Sequence, residues 1–154
     1  MYHAVDLPAD ATIRRILIIK WSAMGDVILA TALFEDIARA FPGREIHLDT
    51  QPAWRDLLFA DDPRFQRILA VDWSRRKNRL RQGLAWLRQV RSTDYDLIID
   101  LQCNDRSRFL LTLLRLSGHR PRHLLGNRRQ MPYDIAPEEP ELPAHAVTRN
   151  RAAL

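Results

Sequence analysis

Residues 15–33, RILIIKWSAMGDVILATAL, constrain the fold more than any other stretch of the chain. Ile16, Leu17, Ile18 and Ile19 run into Lys20, a tight polar segment from Trp21 to Asp26 follows, and apolar residues then recur at helical spacing. This reads as a strand, a turn and the start of a helix. The alternation continues along the chain. Strand patterns lie over 45–50, 67–71, 96–101 and, briefly, 122–126; helical patterns lie over 26–41, 52–59, 79–91 and 105–116. Val27, Ala30, Phe34, Ile37, Ala38 and Phe41 share one face of the first helix, which Pro42-Gly43 stops; Pro52 opens the second. In the third helix Leu80, Leu84, Leu87 and Arg91 are in register, with Arg81, Arg88 and Gln89 opposite. The run DLIIDL at 96–101 is a continuous apolar strand of the kind covered on both faces in a parallel sheet. Strand–helix alternation folds into right-handed βαβ units. The expected architecture is α/β, a Rossmann-like doubly wound parallel sheet of order 3-2-1-4-5. Its switch point beside the first strand puts the Lys20–Asp26 turn in the crevice where ligands bind.

Composition narrows the class. The chain has 154 residues, enough for one domain with a core, and is 46% hydrophobic and 28% charged, as a globular protein is. A single cysteine excludes an internal disulfide framework and fits a reducing compartment. Residues 1–14 show neither a basic nor an apolar leader pattern, and no apolar run approaches the roughly 20 residues of a membrane span. The net charge of +5 is gathered into blocks: Arg75, Arg76, Lys77, Arg79, Arg81, Arg88 and Arg91, then Arg115, Arg120, Arg122, Arg128 and Arg129. Such blocks are either solvated helix faces or the mark of an anionic partner, whether phosphorylated substrate, membrane surface or nucleic acid.

At the first strand end, Asp26 is either a first-turn acid favoured by the helix dipole or a general base for a substrate hydroxyl. Gly25 either supplies a positive φ to a tight turn or lets a ligand approach the backbone and the helix N–H groups. Lys20 either reaches water or pairs with a substrate phosphate or carboxylate. Ser22 flanks the same turn. Neither G-x-G-x-x-G nor G-x-x-x-x-G-K-[ST] is present, which weakens a reading of Asp49 as a ribose-binding acid. Gln102, Arg106 and Ser107 follow the fourth strand and are expected to face the same crevice, and Asp100 is either a turn carboxylate or part of the site. Cys103 has no histidine paired with it by sequence and reads as structural; the five histidines show no metal-ligand spacing.

The segments Lys20–Asp26 (KWSAMGD), Ala40-Phe41-Pro42, the basic block around Arg75–Arg81 and Tyr95–Ser107 (YDLIIDLQCNDRS) together resemble glycosyltransferase family 9, the ADP-heptose:lipopolysaccharide heptosyltransferases. His145-Ala146-Val147 resembles the family's His-containing segment ahead of its second domain, so that the resemblance spans residues 14–154. It implies one half of a two-domain GT-B inverting transferase acting in lipopolysaccharide core biosynthesis. In that frame residues 1–14 are an N-terminal extension and 15–130 a Rossmann-like acceptor-binding domain. Residues 131–154 are a Pro-rich connection and the start of an inter-domain helix; the donor-binding domain is not among the 154 residues, and the chain alone is expected to be inactive. Asp26 would be the base. Lys20, Ser22, Gly25, Gln102, Arg106 and Ser107 would line the acceptor side, and Arg75, Arg76, Lys77 and Arg79 would meet the phosphates and carboxylates of an anionic lipid A–core acceptor. No cofactor is implied beyond a nucleotide-sugar donor, ADP-heptose, held mainly by the other domain. The expected location is cytoplasmic, peripheral at the inner-membrane face. Cys103 stands where the family has glycine. Two other classes remain: a basic nucleic-acid-binding α/β domain, which leaves the Ser22–Asp26 turn unexplained and lacks a recognised stacking platform, and a stand-alone domain that binds an anionic sugar or lipid without chemistry.

Overall fold

β1 (Arg15–Ile19) sits in the middle of the sheet, and its alternation sorts the whole core. Ile16 and Ile18 point into one cluster with Val27, Ala30, Leu33, Phe34 and Ile37 of α1 (Met24–Ala40). Leu17 and Ile19 point into a second cluster on the opposite face, with Trp86 and Val90 of α3 (Arg79–Thr93) and Leu110, Leu111 and Leu114 of α4 (Asp105–Leu116). Successive strand residues face opposite sides, so a strand apolar at every position requires a helical layer on each face. The computed structural model describes residues 6–74, 76–127 and 130–136, with Arg76 described by its backbone alone.

The remaining elements are β2 (Glu45–Thr50), α2 (Pro52–Leu58), β3 (Arg67–Ala70), β4 (Leu97–Asp100) and β5 (His123–Leu125), with one turn of 3-10 helix at Arg76–Asn78 ahead of α3. All pairings are parallel, and the order is β3-β2-β1-β4-β5, as the sequence predicts. The chain is α/β and doubly wound, and its elements fall within two residues of their expected bounds.

One expectation needs correction. In α3 the buried stripe is Gly83, Trp86 and Val90, whereas Leu80 and Leu84 are 87% and 55% exposed. The indole of Trp86 fixes this rotation by donating to the buried Asp49 carboxylate at 2.5 Å, a bond the leucine register ignores. After β5 the described residues 131–136 form turns and bends with one isolated bridge, and the remainder of the expected connection lies outside the described residues. Ile135 bridges Leu125 in parallel, and the Tyr133 ring lies over Gly126, where a Cβ would come within 2.5 Å of it. Only glycine permits that approach. The inter-domain helix expected to start within the last residues before 154 lies outside the described residues. Among the described residues no helix is long and apolar enough to cross a membrane.

Candidate functional site

β1 and β4 are neighbours and end together, with Ile19 in register with Asp100. The chain leaves them toward opposite faces, to α1 and to α4, which opens a crevice at the carboxyl edge of the sheet. Two loops line it.

In the β1–α1 turn, the backbone N–H groups of Trp21 and Ser22 both donate to Gln102 Oε1, at 2.9 and 3.0 Å, and Gln102 Nε2 donates to Ser22 Oγ at 3.2 Å. The Trp54 indole donates to the Trp21 carbonyl at 2.9 Å. The turn is therefore fixed by its neighbours, and Gln102 straps it. Asp26, exposed in the first turn of α1, receives one bond of 3.3 Å from the Ala23 N–H, which leaves most of its acceptor capacity open. Gly25 corrects one expectation: it lies inside α1 and is not among the positive-φ residues, so no turn demands a glycine here. A Cβ at Gly25 would stand in open space, and what its absence provides is room above the helix N-terminus.

Lys20 does not reach water. It is 9% exposed, and its Nζ lies 3.5 Å from the Leu101 carbonyl beneath the turn. Burial pushes its ammonium below the ordinary lysine value, and the charge of Asp26 leads the groups that oppose this. Lys20 is thus a cation set behind the Asp26 carboxylate.

The β4–α4 loop treats its carboxylate differently. Asp100 is 1% exposed; its Oδ1 accepts from the N–H groups of Gln102 (3.0 Å) and Cys103 (2.9 Å), and its Oδ2 accepts from the Tyr133 hydroxyl at 2.6 Å. Burial raises its pKa against the pull of those bonds. Asp100 is a turn carboxylate. Ser107, expected to line the crevice, is fully buried: its N–H donates to Asn104 Oδ1 (2.9 Å) while the Asn104 N–H donates to its Oγ (3.1 Å). This reciprocal cap starts α4 and offers nothing to a ligand. Cys103 adopts φ +46° and gives its thiol to the Asp100 carbonyl; burial pushes that thiol up to about 12, so it is no nucleophile at neutral pH. Asp49 is likewise buried under α3, which removes the ribose-binding reading. Burial raises it to about 7 while the Trp86 bond pulls the other way.

The basic residues converge only in part. Lys77 and Arg79 are exposed at the approach to α3. Arg106 lies at the start of α4, its guanidinium 5.6 Å above the Trp73 ring; burial and then the nearby Arg79 lower its pKa. Two arginines from separate segments thus share one end of the crevice, with no carboxylate among the described residues bound to either. Arg75 and the side chain of Arg76 lie outside the described residues. The sequence reading missed Trp73, the platform under Arg106, and Tyr133, the lock on Asp100; both act through contacts distant in sequence that leave no local pattern. The arrangement offers an open carboxylate backed by a cation and a pair of unneutralised guanidiniums, a geometry suited to taking a proton from a bound, negatively charged molecule.

No protein-family model matches the chain. Lipopolysaccharide heptosyltransferase 1 of Pseudomonas aeruginosa is 33% identical over 100 residues, 57% of this chain and 26% of that one. Among solved structures, a glycosyl transferase family 9 protein from Veillonella parvula superposes with a TM-score of 0.70 at 21% identity, over 89% of this chain and 39% of that one. E. coli heptosyltransferase WaaC, solved with ADP, gives 0.64 at 24% identity, over 90% and 45%. The chain spans about a quarter of the curated relative's length and under half of either solved chain. The solved structures share its fold, and the resemblance to the family 9 heptosyltransferases read from the motifs stands.

Proposed function

We propose that these residues form the acceptor-binding half of an inverting glycosyltransferase of lipopolysaccharide core assembly. Asp26 is the base. Its carboxylate takes the proton of an acceptor hydroxyl as that oxygen bonds to the anomeric carbon of the donor sugar; the bond from that carbon to the nucleoside diphosphate breaks, and the diphosphate leaves from the opposite side. A carboxylate there also stabilises the positive charge that develops on the sugar. The donor, ADP-heptose by analogy with the relatives, is held mainly by a second domain outside these residues, and the chain alone does not transfer sugar because nothing fixes donor beside acceptor. Lys20 supports Asp26 from beneath, Gly25 leaves room for the acceptor, and Lys77, Arg79 and Arg106 meet its phosphates and carboxylates.

One observation supports this reading: of Asp49 in β2, Asp26 in the first turn of α1 and Asp100 at the end of β4, only Asp26 is open to solvent. The test is a titration of the chain with core-oligosaccharide acceptor at two salt concentrations, with single- and double-stranded nucleic acid as competitors. The expected result is salt-dependent acceptor binding that nucleic acid of equal charge displaces poorly. Equal affinity for both would instead identify an unspecific basic surface.

A further inference from the structure

α3 and α4 pack side by side at Gly83 and Leu110, yet the outer part of their seam is unfilled. Trp73, Leu80, Leu84, Leu87, Phe109 and Leu113 line a cleft of about 280 Å³. Its rim is lined by exposed apolar side chains: beside Leu80 and Leu84, Phe109 is 62% exposed. Scattered exposed leucines need no explanation, but a contiguous apolar cleft does. The surroundings say what fills it. Arg79 and Arg106 stand at the end nearest the crevice, neither held by a carboxylate among the described residues. α3 carries four arginines and no acid over its length. An apolar channel mouthed by guanidiniums matches an acyl chain with an anionic head and repels a cationic one.

We propose that the α3–α4 cleft is a bilayer-docking site that seats an acyl chain of an anionic phospholipid, with the headgroup attracted by the acid-free, arginine-bearing α3. The proposal rests on the reading of the acceptor as a membrane-borne lipid. Docking here would turn the crevice, at the adjoining helix N-termini, toward the headgroup layer. Amphipathic surfaces of this kind bind through buried apolar area and attraction to anionic lipid together, so loss of either part weakens binding.

The test uses the 154-residue chain and vesicles without acceptor, so that it fails or succeeds separately from acceptor binding. Phosphatidylcholine vesicles containing one part in three phosphatidylglycerol are expected to bind the chain, and pure phosphatidylcholine vesicles to bind it weakly. Leu80→Ser with Leu84→Ser, both exposed and outside the core, is expected to lower the affinity about tenfold or more, with unchanged circular dichroism. Brominated acyl chains are expected to quench a component of the tryptophan fluorescence that Trp73→Phe removes. Unchanged binding by the double serine variant, or quenching indifferent to Trp73→Phe, overturns the proposal. Concentration-dependent dimers in light scattering that the serine variant breaks would assign the cleft to a second copy of the chain and overturn it equally.

Discussion

The β1–α1 turn and the β4–α4 loop leave the same edge of the sheet side by side; the first leads into Asp26 in the opening turn of α1, the second begins at Asp100, and the two carboxylates are used in opposite ways. Asp100 is surrounded by three donors and sealed from water by Tyr133, so its carboxylate serves the loop's own shape. Asp26 receives one long bond from Ala23 and remains at the surface, with the buried Lys20 behind it. The turn that carries Asp26 takes one long capping bond from it and is otherwise held by Gln102, which reaches across from the other loop. One loop thus folds itself with its carboxylate and also lends a side chain that frees the carboxylate of its neighbour. The residue type is the same and both lie at one edge of the sheet, Asp100 ending β4 and Asp26 in the first turn of α1; the hydrogen-bond partners separate a structural acid from one available for chemistry.

That contrast can be broken by mutation. Asp100→Ala strands two backbone N–H groups and a tyrosine hydroxyl in the interior and should cost about 4 kcal/mol of stability. Asp26→Ala removes a surface bond at a helix start and should cost under about 1 kcal/mol. Urea unfolding of the two variants measures both, and equal losses would erase the distinction between the loops. The next effect is one of pH. Asp49 titrates near 7 in the folded chain against about 4 when unfolded. The folded state therefore holds this proton more tightly, and the stability it confers is complete below about pH 4 and is lost as pH rises through 7. Asp49→Asn should remove a few kcal/mol of this fall between pH 4 and 7, read as a flatter profile of unfolding midpoint against pH; an unaltered slope would assign the titration to another group. The smallest effect belongs to Cys103. Its φ of +46° lies in the left-handed region, where glycine is unstrained. Cys103→Gly should raise stability by about 0.5–1 kcal/mol, visible as a small rise in Tm, unless the thiol's contact with the Asp100 carbonyl outweighs the strain.

The sheet was readable from the chain because its signals are local. Ile16–Ile19 and Leu97–Ile99 are apolar at every position, which marks strands covered on both faces, and Pro42-Gly43 and Pro52 punctuate the helices between them. The turn from Lys20 to Asp26 was legible for the same reason. Burial of the carboxylates was not. Asp49 meets Trp86 37 positions away, and Asp100 meets Tyr133 33 positions away, so nothing near either aspartate announces its partner. Polar residues at strand ends read as ligands when the sequence is read alone. Ser107 and Gln102 show the alternative: a hydroxyl spent on a helix cap and an amide spent on a neighbouring turn. The face of α3 was misjudged because leucine spacing alone does not weigh one indole N–H against a buried acid.

The central claim is that Asp26 is a base and not a cap. The measurement is steady-state transfer from ADP-heptose by a transferase that joins these residues to a donor-binding domain, comparing Asp26 with Asp26→Asn. Asparagine keeps the size and the acceptor oxygen for Ala23 but cannot take a proton, so turnover should fall by about 10²–10⁴-fold while acceptor affinity and unfolding midpoint stay nearly constant. Unchanged turnover, or a loss confined to acceptor affinity, would contradict the assignment.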